Sequence, residues 1–198
     1  MYPYIIGLTG GISVGKSFVI SILKKLNVEV VSADEVYHEL IMPEKKLWKL
    51  LTKKWGNEII CPDNTIDRKA LGKIVFSDEN NLTFLNSVTH PEIVTAVKKI
   101  FSTSKFPFLF FEAPLLIESG YNSLVDEIWV VDIPEELQIR RLCERNNIDE
   151  KSAKNIIKTQ LSRSERLTYA SKVIDNSKDV EKTEEYIKKM LKELKYET

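Results

Sequence analysis

The eight residues Gly10-Gly11-Ile12-Ser13-Val14-Gly15-Lys16-Ser17 decide the fold, because they match the pattern G-x-x-x-x-G-K-[ST] at every fixed position. A short apolar run at residues 4–8 precedes them, and the helical apolar pattern of residues 16–26 follows. A strand, a glycine loop and a helix in this order form the context in which the pattern cradles phosphate groups. The sequence therefore predicts a nucleotide-phosphate site at the start of the first helix.

The residue types in this loop suit the chemistry of phosphate binding. Gly10 and Gly15 allow a close backbone approach that a Cβ atom would prevent, so that loop N–H groups can point at phosphate oxygens. Lys16 is placed to reach the β- and γ-phosphates of ATP, and the Ser17 hydroxyl is placed to bind Mg²⁺. The nucleotide-binding residues predicted in this segment are Gly11, Ile12, Ser13, Val14, Gly15, Lys16, Ser17 and Phe18. The loop alone does not separate kinases from GTPases and ATPases.

Further short apolar runs alternate with helical patterns along the chain. Strands are predicted at residues 28–31, 106–111, 128–131 and 172–174, and the last helix is predicted at about residues 180–194. Such strands, separated by helices, indicate a parallel sheet that is covered on both faces. We expect an α/β fold with a doubly wound five-stranded parallel sheet, in a single domain of residues 1–198. A helical insertion at about residues 35–103 and an Arg-rich helical lid at about residues 140–167 interrupt this core.

The composition argues against several classes of function. Lys and Arg together number 29, as do Asp and Glu, so the formal net charge is zero and no basic excess attracts nucleic acid or an anionic membrane. No apolar run is long enough to span a bilayer. The two cysteines, Cys61 and Cys143, match no metal-ligand spacing and are typical of free thiols in a reducing compartment. We expect a cytoplasmic monomer whose partners are small molecules, not nucleic acid or membranes.

Asp34 is the candidate catalytic carboxylate, because it follows the second predicted strand. Ligands of doubly wound sheets bind at the carboxyl ends of the strands, the same edge as the glycine loop. A carboxylate there could accept a proton from an acceptor hydroxyl, or orient it. Asp34 could equally be the N-cap of a helix over residues 35–41, and its position alone leaves both interpretations open.

Seven short motifs, taken together, resemble the dephospho-CoA kinase family over almost the whole chain. They are Leu8-Thr9-Gly10-Gly11-Ile12; Ser32-Ala33-Asp34; Arg68, Leu71, Val75 and Phe76; His90-Pro91; Pro114-Leu115-Leu116-Ile117-Glu118; Gln160, Arg163 and Arg166; and Val173-Ile174-Asp175-Asn176. Each motif is weak alone, but their order and separations make the set specific. The resemblance implies ATP-dependent phosphorylation of the ribose 3′-hydroxyl of dephospho-CoA, with the insertion binding the CoA moiety.

The resemblance also implies roles for individual residues. The implied catalytic residues are Lys16, Asp34, Arg141 and Arg163, and the implied acceptor-binding residues are Thr9, Asp34, Arg68, His90, Pro114 and Leu115. Asn176 is expected to bind the nucleotide by reading adenine through its amide, although it is equally a turn residue. His90 and Pro91 are expected to begin a helix, since proline is favoured at the first helical position. Arg145 and Arg166 are as well explained by a solvated helix face as by phosphate binding.

Some residues depart from the family pattern. Ser13 and Val14 stand where the family usually has Gly-Ser, and phosphate cradling should survive if the backbone angles there suit ordinary residues. Phe18, Ser32 and Glu112 replace the more usual Thr, Asp and Asp. Two alternatives therefore stay open. One is another small-molecule P-loop kinase, of nucleoside monophosphate or shikimate type, and the other is a nucleotide-binding regulatory module without transfer activity.

Overall fold

A five-stranded sheet forms the centre of the fold in the computed structural model, which describes residues 2–197. The strands are β1 (Tyr4–Gly10), β2 (Val30–Ser32), β3 (Phe108–Glu112), β4 (Glu127–Asp132) and β5 (Lys172–Asp175). They lie in the order β2-β3-β1-β4-β5, with β1 parallel to both β3 and β4, and β4 parallel to β5. The predicted α/β class with a five-stranded parallel sheet is confirmed.

Helices connect the strands. They are α1 (Lys16–Lys25), α2 (Ala33–Leu40), α3 (Lys46–Trp55), α4 (Arg68–Ser77), α5 (Glu79–Thr103), α6 (Glu135–Asn146), α7 (Glu150–Lys158), α8 (Arg163–Thr168) and α9 (Val180–Glu197). Two short 3₁₀ helices span Gly56–Ile59 and Tyr121–Leu124. Within residues 2–197, no helix combines the length and the apolarity that a membrane span needs.

The central strands are apolar on both faces, as a covered parallel sheet requires. On one face, the side chains of β1, β3 and β4 pack with the buried stripes of α1 and α9 in one core. Phe110 and Trp129 meet edge to face in this core, with 5.0 Å between ring centroids. The alternate residues are buried as well, and Phe111 packs near Tyr121 with ring centroids 5.9 Å apart. This packing fixes the strand ends that carry the candidate site.

The second strand begins later than the predicted residues 28–31. Asn27 adopts a left-handed conformation with a φ of 56°, and its N–H donates to the carbonyl of Lys24. The Val28 N–H donates to the carbonyl of Leu23, so that the two bonds form a Schellman motif at the end of α1. Val28 is therefore part of the C-terminal capping motif of α1, and β2 starts only at Val30.

Residues Ser32–Thr103 form a compact unit that is distinct from the rest of the chain. It contains helices α2 to α5 and an isolated antiparallel bridge between Ile60 and Ile66. Its own apolar core includes Leu47 and Leu51, whose side chains are buried. The other unit comprises the residues up to Val31 and those from Ser104 onward, and it contains the sheet core and helices α1 and α6 to α9.

The expectation that a helix begins at His90 and Pro91 is wrong. Helix α5 runs without interruption from Glu79 to Thr103, and Pro91 lies inside it. Proline has no N–H to donate to the carbonyl four residues earlier, which makes it unfavourable at an interior position. Ile93 and Val97, which follow Pro91, are buried, and Leu85 and Val88, which precede it, are partly buried; this tertiary packing overrides the local preference.

Candidate active site

The glycine loop of residues 10–17 lines a cavity of about 560 Å³. The other lining residues come from the segment after β3, from α6 and from the end of the α7 segment; they are Pro114, Arg141, Arg145 and Gln160. Gly15 is the N-cap of α1 and has a φ of 87°, a conformation that favours glycine. The first residues of α1, Lys16 and Ser17, line the same cavity, so the positive end of the helix dipole favours an anion there.

Lys16 and Glu112 form a buried ion pair beside this loop. The Lys16 Nζ lies 2.6 Å from a Glu112 carboxylate oxygen, and the side chains are only 13% and 8% exposed. Glu112 ends β3, which pairs directly with β1, so the sheet itself brings the carboxylate to the loop. Removing either partner would leave an uncompensated buried charge, which is strongly unfavourable.

Two arginines of α6 face the cavity. Arg141 and Arg145 both line it, and Arg141 Nη2 donates to the backbone carbonyl of Asn176 at 3.2 Å. This bond holds one end of the guanidinium and leaves further N–H donors for an anion. The structure thus brings Arg141 to the phosphate loop, and it adds Arg145, which sequence reasoning left undecided.

Arg163 does not line this cavity. Its guanidinium instead binds Asp132, the last residue of β4, with Nε 2.9 Å from Oδ1 and Nη2 2.6 Å from Oδ2. These hydrogen bonds raise the pKa of Arg163, which is always charged in any case. A bidentate pair of this kind fixes geometry, and here it fastens the start of α8 to the sheet.

Asn176 stabilises the phosphate loop through its side-chain amide. Its side chain is buried and its Nδ2 donates to the carbonyl of Val14 at 2.8 Å. A Cβ atom added at Gly15 would lie 2.1 Å from the same Nδ2, so the close approach needs glycine. The amide that the sequence interpretation directed at adenine is therefore engaged with the phosphate loop.

The backbone of Ser13 and the contact of Ile12 differ from the sequence expectation, and Phe18 remains a predicted nucleotide-binding residue. Ser13 has a φ of 61°, so this position does not suit an ordinary residue, and its buried Oγ has no hydrogen-bond partner within the described part of the chain. The Ile12 N–H, expected to point at phosphate, donates to Gln160 Oε1 at 2.8 Å. The Phe18 ring packs against the core around α1 and α9.

Thr9 and Pro114, both expected to bind the acceptor, lie together at the ends of β1 and β3. The Thr9 hydroxyl donates to the Pro114 carbonyl at 3.2 Å, and Thr9 is buried. Pro114 also lines the cavity, whereas the neighbouring Leu115 is 44% exposed. This segment is thereby held beside the phosphate loop.

Asp34, Arg68 and His90 belong to the unit formed by Ser32–Thr103. Helix α2 has Ser32 as its N-cap, with Asp34 in its first turn, so the alternative interpretation of Asp34 as an N-cap is wrong. Arg68 is the first residue of α4, whose N-cap is Asp67: the Asp67 carboxylate accepts the N–H groups of Lys69 and Ala70. Burial lowers the pKa of His90, which favours its neutral form at pH 7.

Sequence reasoning missed two residues that hold the site together. Gln138 is buried in α6 and donates to the Ile12 carbonyl, and Asp132 anchors Arg163. Gln138 lies among charged residues in a helix and carries no motif signal. Asp132 ends a strand at the ligand edge of the sheet, which is a signal that could have been used.

A glycine loop after the central strand, a buried lysine–carboxylate pair and two arginines of α6 that line the cavity define the class of P-loop kinases. Residues 4–182 match the family model described as dephospho-CoA kinase. The chain therefore belongs to the dephospho-CoA kinase family.

Curated relatives agree over nearly the full length. The chain is 40% identical over 195 residues to a dephospho-CoA kinase of Carboxydothermus hydrogenoformans, covering 97% of this chain and 95% of the relative. It is 39% identical over 192 residues to one from Geobacter metallireducens, covering 96% of both.

Solved structures share the fold of this chain. A Thermus thermophilus protein, TT1252, is 28% identical with a TM-score of 0.83, covering 98% of this chain and 99% of the other. A dephospho-CoA kinase from Campylobacter jejuni is 27% identical with a TM-score of 0.73, covering 96% of each chain. A shikimate kinase from Bacteroides thetaiotaomicron shares the fold alone, at 13% identity and a TM-score of 0.56, covering 96% of this chain and 98% of the other.

Proposed function

We propose that this protein transfers the γ-phosphoryl group of ATP to the ribose 3′-hydroxyl of dephospho-CoA, giving CoA and ADP. The observation that carries the proposal is the phosphate cavity, lined by Lys16, Arg141 and Arg145, in a chain whose residues 4–182 match the family model. Transfer of a phosphoryl group needs little covalent chemistry from the protein, so positioning and charge stabilisation account for most of the catalysis. A regulatory module without transfer activity could bind nucleotide phosphates through the same cations, so acceptor-dependent turnover distinguishes the two functions.

In this mechanism, Lys16 binds the β- and γ-phosphates and Arg141 stabilises charge on the transferring group. Arg145 is a second cation at the cavity, and Arg163 acts by anchoring α8 to β4 through Asp132. Asp34 orients the acceptor hydroxyl and accepts its proton, which leaves the oxygen free to attack phosphorus. The candidate acceptor-binding residues remain Thr9, Arg68, His90, Pro114 and Leu115.

The residues at the loop fit an Mg²⁺ ion. Magnesium takes oxygen ligands and needs only one or two protein groups, since waters and substrate phosphates supply the rest. The exposed Ser17 hydroxyl lines the cavity, and the Glu112 carboxylate lies beside the loop as a candidate for contact through water. When bound, the ion would neutralise charge on the β- and γ-phosphate oxygens. No group of three or more His, Cys, Asp or Glu in the described residues could hold a different, protein-ligated metal.

The test is ADP release from purified protein with ATP and Mg²⁺, coupled to NADH oxidation, with dephospho-CoA, AMP, shikimate or no acceptor. We expect turnover with dephospho-CoA alone and CoA as the product identified by mass spectrometry. Lys16→Ala should lose most of this turnover, and Lys25→Ala, in the exposed last turn of the same helix, should retain it. Equal turnover with AMP or shikimate, or ATP binding without any acceptor-dependent turnover, would contradict the proposal.

We further propose that the enzyme works in the cytoplasm as a monomer. Free Cys61 and Cys143 support a reducing compartment. Light scattering after size-exclusion chromatography tests the second part. A mass twice that of the chain would contradict it.

A further inference from the structure

Both backbone polar groups of Ile12 are bound by glutamine side chains. Gln138 Nε2 donates to the Ile12 carbonyl oxygen at 2.8 Å, and Gln160 Oε1 accepts the Ile12 N–H at 2.8 Å. One glutamine thus acts as a donor and the other as an acceptor toward the same residue. We call these two contacts the Ile12 clamp.

The two glutamines belong to two parts of the lid region. Gln138 lies in α6, two residues before the segment of residues 140–167, and Gln160 lies within that segment, just after α7. The Ile12 side chain packs against the small apolar core of the lid, which contains Ile139, Leu142 and Ala153. Backbone and side chain of Ile12 are therefore both bound by the lid, although Ile12 belongs to the phosphate loop.

The surroundings of the clamp are tightly fixed. Gln138 and Arg166 are 4% and 6% exposed, and a Cβ atom added at Gly11 would lie 2.7 Å from Gln138 Nε2 and 3.1 Å from Arg166 Nη1. Arg166 Nη2 donates to the carbonyl of Leu161 at 2.6 Å, and the Leu161 N–H donates to Glu118 at 3.0 Å. The segment that carries Gln160 cannot shift without breaking these contacts.

We propose that Gln138 and Gln160 are positioning residues that couple the lid to the phosphate loop, so that the loop keeps its phosphate-binding shape only while the lid is seated. The physical reason is that a partly buried backbone N–H or carbonyl left without a partner is unfavourable, so loop and lid move together or not at all. The proposal rests on nucleotide binding by the proposed kinase and not on the identity of the acceptor.

The test uses ATP binding and hydrogen exchange of the full chain, without acceptor. Gln138→Met and Gln160→Met should each raise the Kd for ATP·Mg²⁺ about 5- to 30-fold, the effect of losing a partly buried hydrogen bond. The double variant should fall short of the product, because both contacts act on one residue. Asn155→Leu, which removes an exposed amide of α7, is the control and should bind like wild type.

Hydrogen exchange separates coupling from simple stabilisation. In wild type, ATP should slow exchange of lid amides, and in the Met variants this protection should be lost. Even without nucleotide, loop peptides spanning residues 10–17 should exchange faster in the variants. Unchanged Kd and unchanged loop exchange would overturn the proposal, as would a lowered Tm with wild-type Kd and wild-type protection. If wild type itself binds no ATP, the proposed function fails, and the loop exchange still decides the coupling.

A pair of charged variants tests donor and acceptor identity. Gln160→Glu keeps an acceptor for the Ile12 N–H, whereas Gln138→Glu places an acceptor against the Ile12 carbonyl. The clamp predicts that Gln138→Glu binds ATP more weakly than Gln160→Glu. Repulsion of phosphate alone predicts the reverse order, since Gln160 lines the cavity and Gln138 does not. That reverse order would count against the clamp.

Discussion

At the scale of single residues, Ser13 places an ordinary side chain where the backbone favours glycine. Its φ of 61° is unfavourable for a residue with a Cβ atom, by about 1–2 kcal/mol, and its buried Oγ has no hydrogen-bond partner among the described residues. Ser13→Gly should therefore raise the free energy of unfolding by about 1 kcal/mol, measured by urea denaturation, after allowance for the greater freedom of glycine in the unfolded chain. Ser102→Gly, in α5, should lower it, and a loss of stability in Ser13→Gly would contradict this account.

The ion pair between Arg163 and Asp132 indicates that Arg163 anchors α8 to the sheet. If it anchors α8, Arg163→Ala and Asp132→Asn should reduce kcat to a similar, modest extent, and the double variant should add little. Arg141→Ala should reduce kcat about 10²- to 10³-fold, as expected for a group that stabilises the transferring charge. A loss of that size in Arg163→Ala, with little effect of Asp132→Asn, would instead mean that Arg163 touches phosphate.

The catalytic role of Asp34 can be tested by comparing substitutions at Asp34 and at the adjacent Glu35. Asp34→Asn should leave the Kd for ATP nearly unchanged and reduce kcat about 10²- to 10⁴-fold, the range for loss of a general base. Glu35→Gln removes an adjacent exposed carboxylate of the same helix turn and should have little effect. Steady-state kinetics with dephospho-CoA measures both, and equal effects of the two changes would indicate that only helix charge matters.

At the scale of elements, α5 keeps a proline in its interior. Pro91→Ala restores an N–H donor, so it should raise the free energy of unfolding by about 1–3 kcal/mol, measured by chemical denaturation. Pro107→Ala, just before β3 and outside any helix, is the control and should not stabilise. A lower stability of Pro91→Ala would show that the proline is well accommodated in this helix.

The strands and helices also show which parts of the fold could be predicted from the sequence. The apolar runs and the glycine loop located all five strands, because buried parallel strands and phosphate loops carry strong local signals. The predicted start of β2 was too early because Asn27, in a left-handed conformation, helps to cap α1. The predicted helix start at His90 and Pro91 was wrong because tertiary packing keeps Pro91 inside α5. At the site, Lys16 and Arg141 were predictable from motif and family. The partner choices of Gln138 and Asp132 were not, because they depend on the meeting of residues more than 30 positions apart.

At the scale of the whole molecule, two units carry separate cores and separate tryptophans. Trp129 lies in the sheet core, whereas Trp48 and Trp55 pack on the core of Ser32–Thr103. All residues that line the phosphate cavity belong to the unit with Trp129. A ligand stabilises the structure that it binds, by about 2.7 kcal/mol at one hundred times its Kd.

ATP·Mg²⁺ should therefore raise the thermal midpoint reported by Trp129 more than that reported by Trp48 and Trp55. Fluorescence of a Trp48→Phe, Trp55→Phe double variant measures the midpoint reported by Trp129. Fluorescence of a Trp129→Phe variant measures the midpoint reported by Trp48 and Trp55. Lys16→Ala should lose the shift, which serves as the control for specific binding. Equal shifts in the two variants would show that the units unfold together.

The close approach at Gly11 has a consequence for how this sequence can drift. Since a Cβ atom at position 11 would lie 2.7 Å from the Gln138 amide, neither position can change freely by itself. An alanine at position 11 would push the Gln138 amide aside or require a shorter side chain at position 138, and either change would release Ile12. Substitutions at these two sites should therefore appear in pairs along a lineage, and each half of the pair should be rare alone.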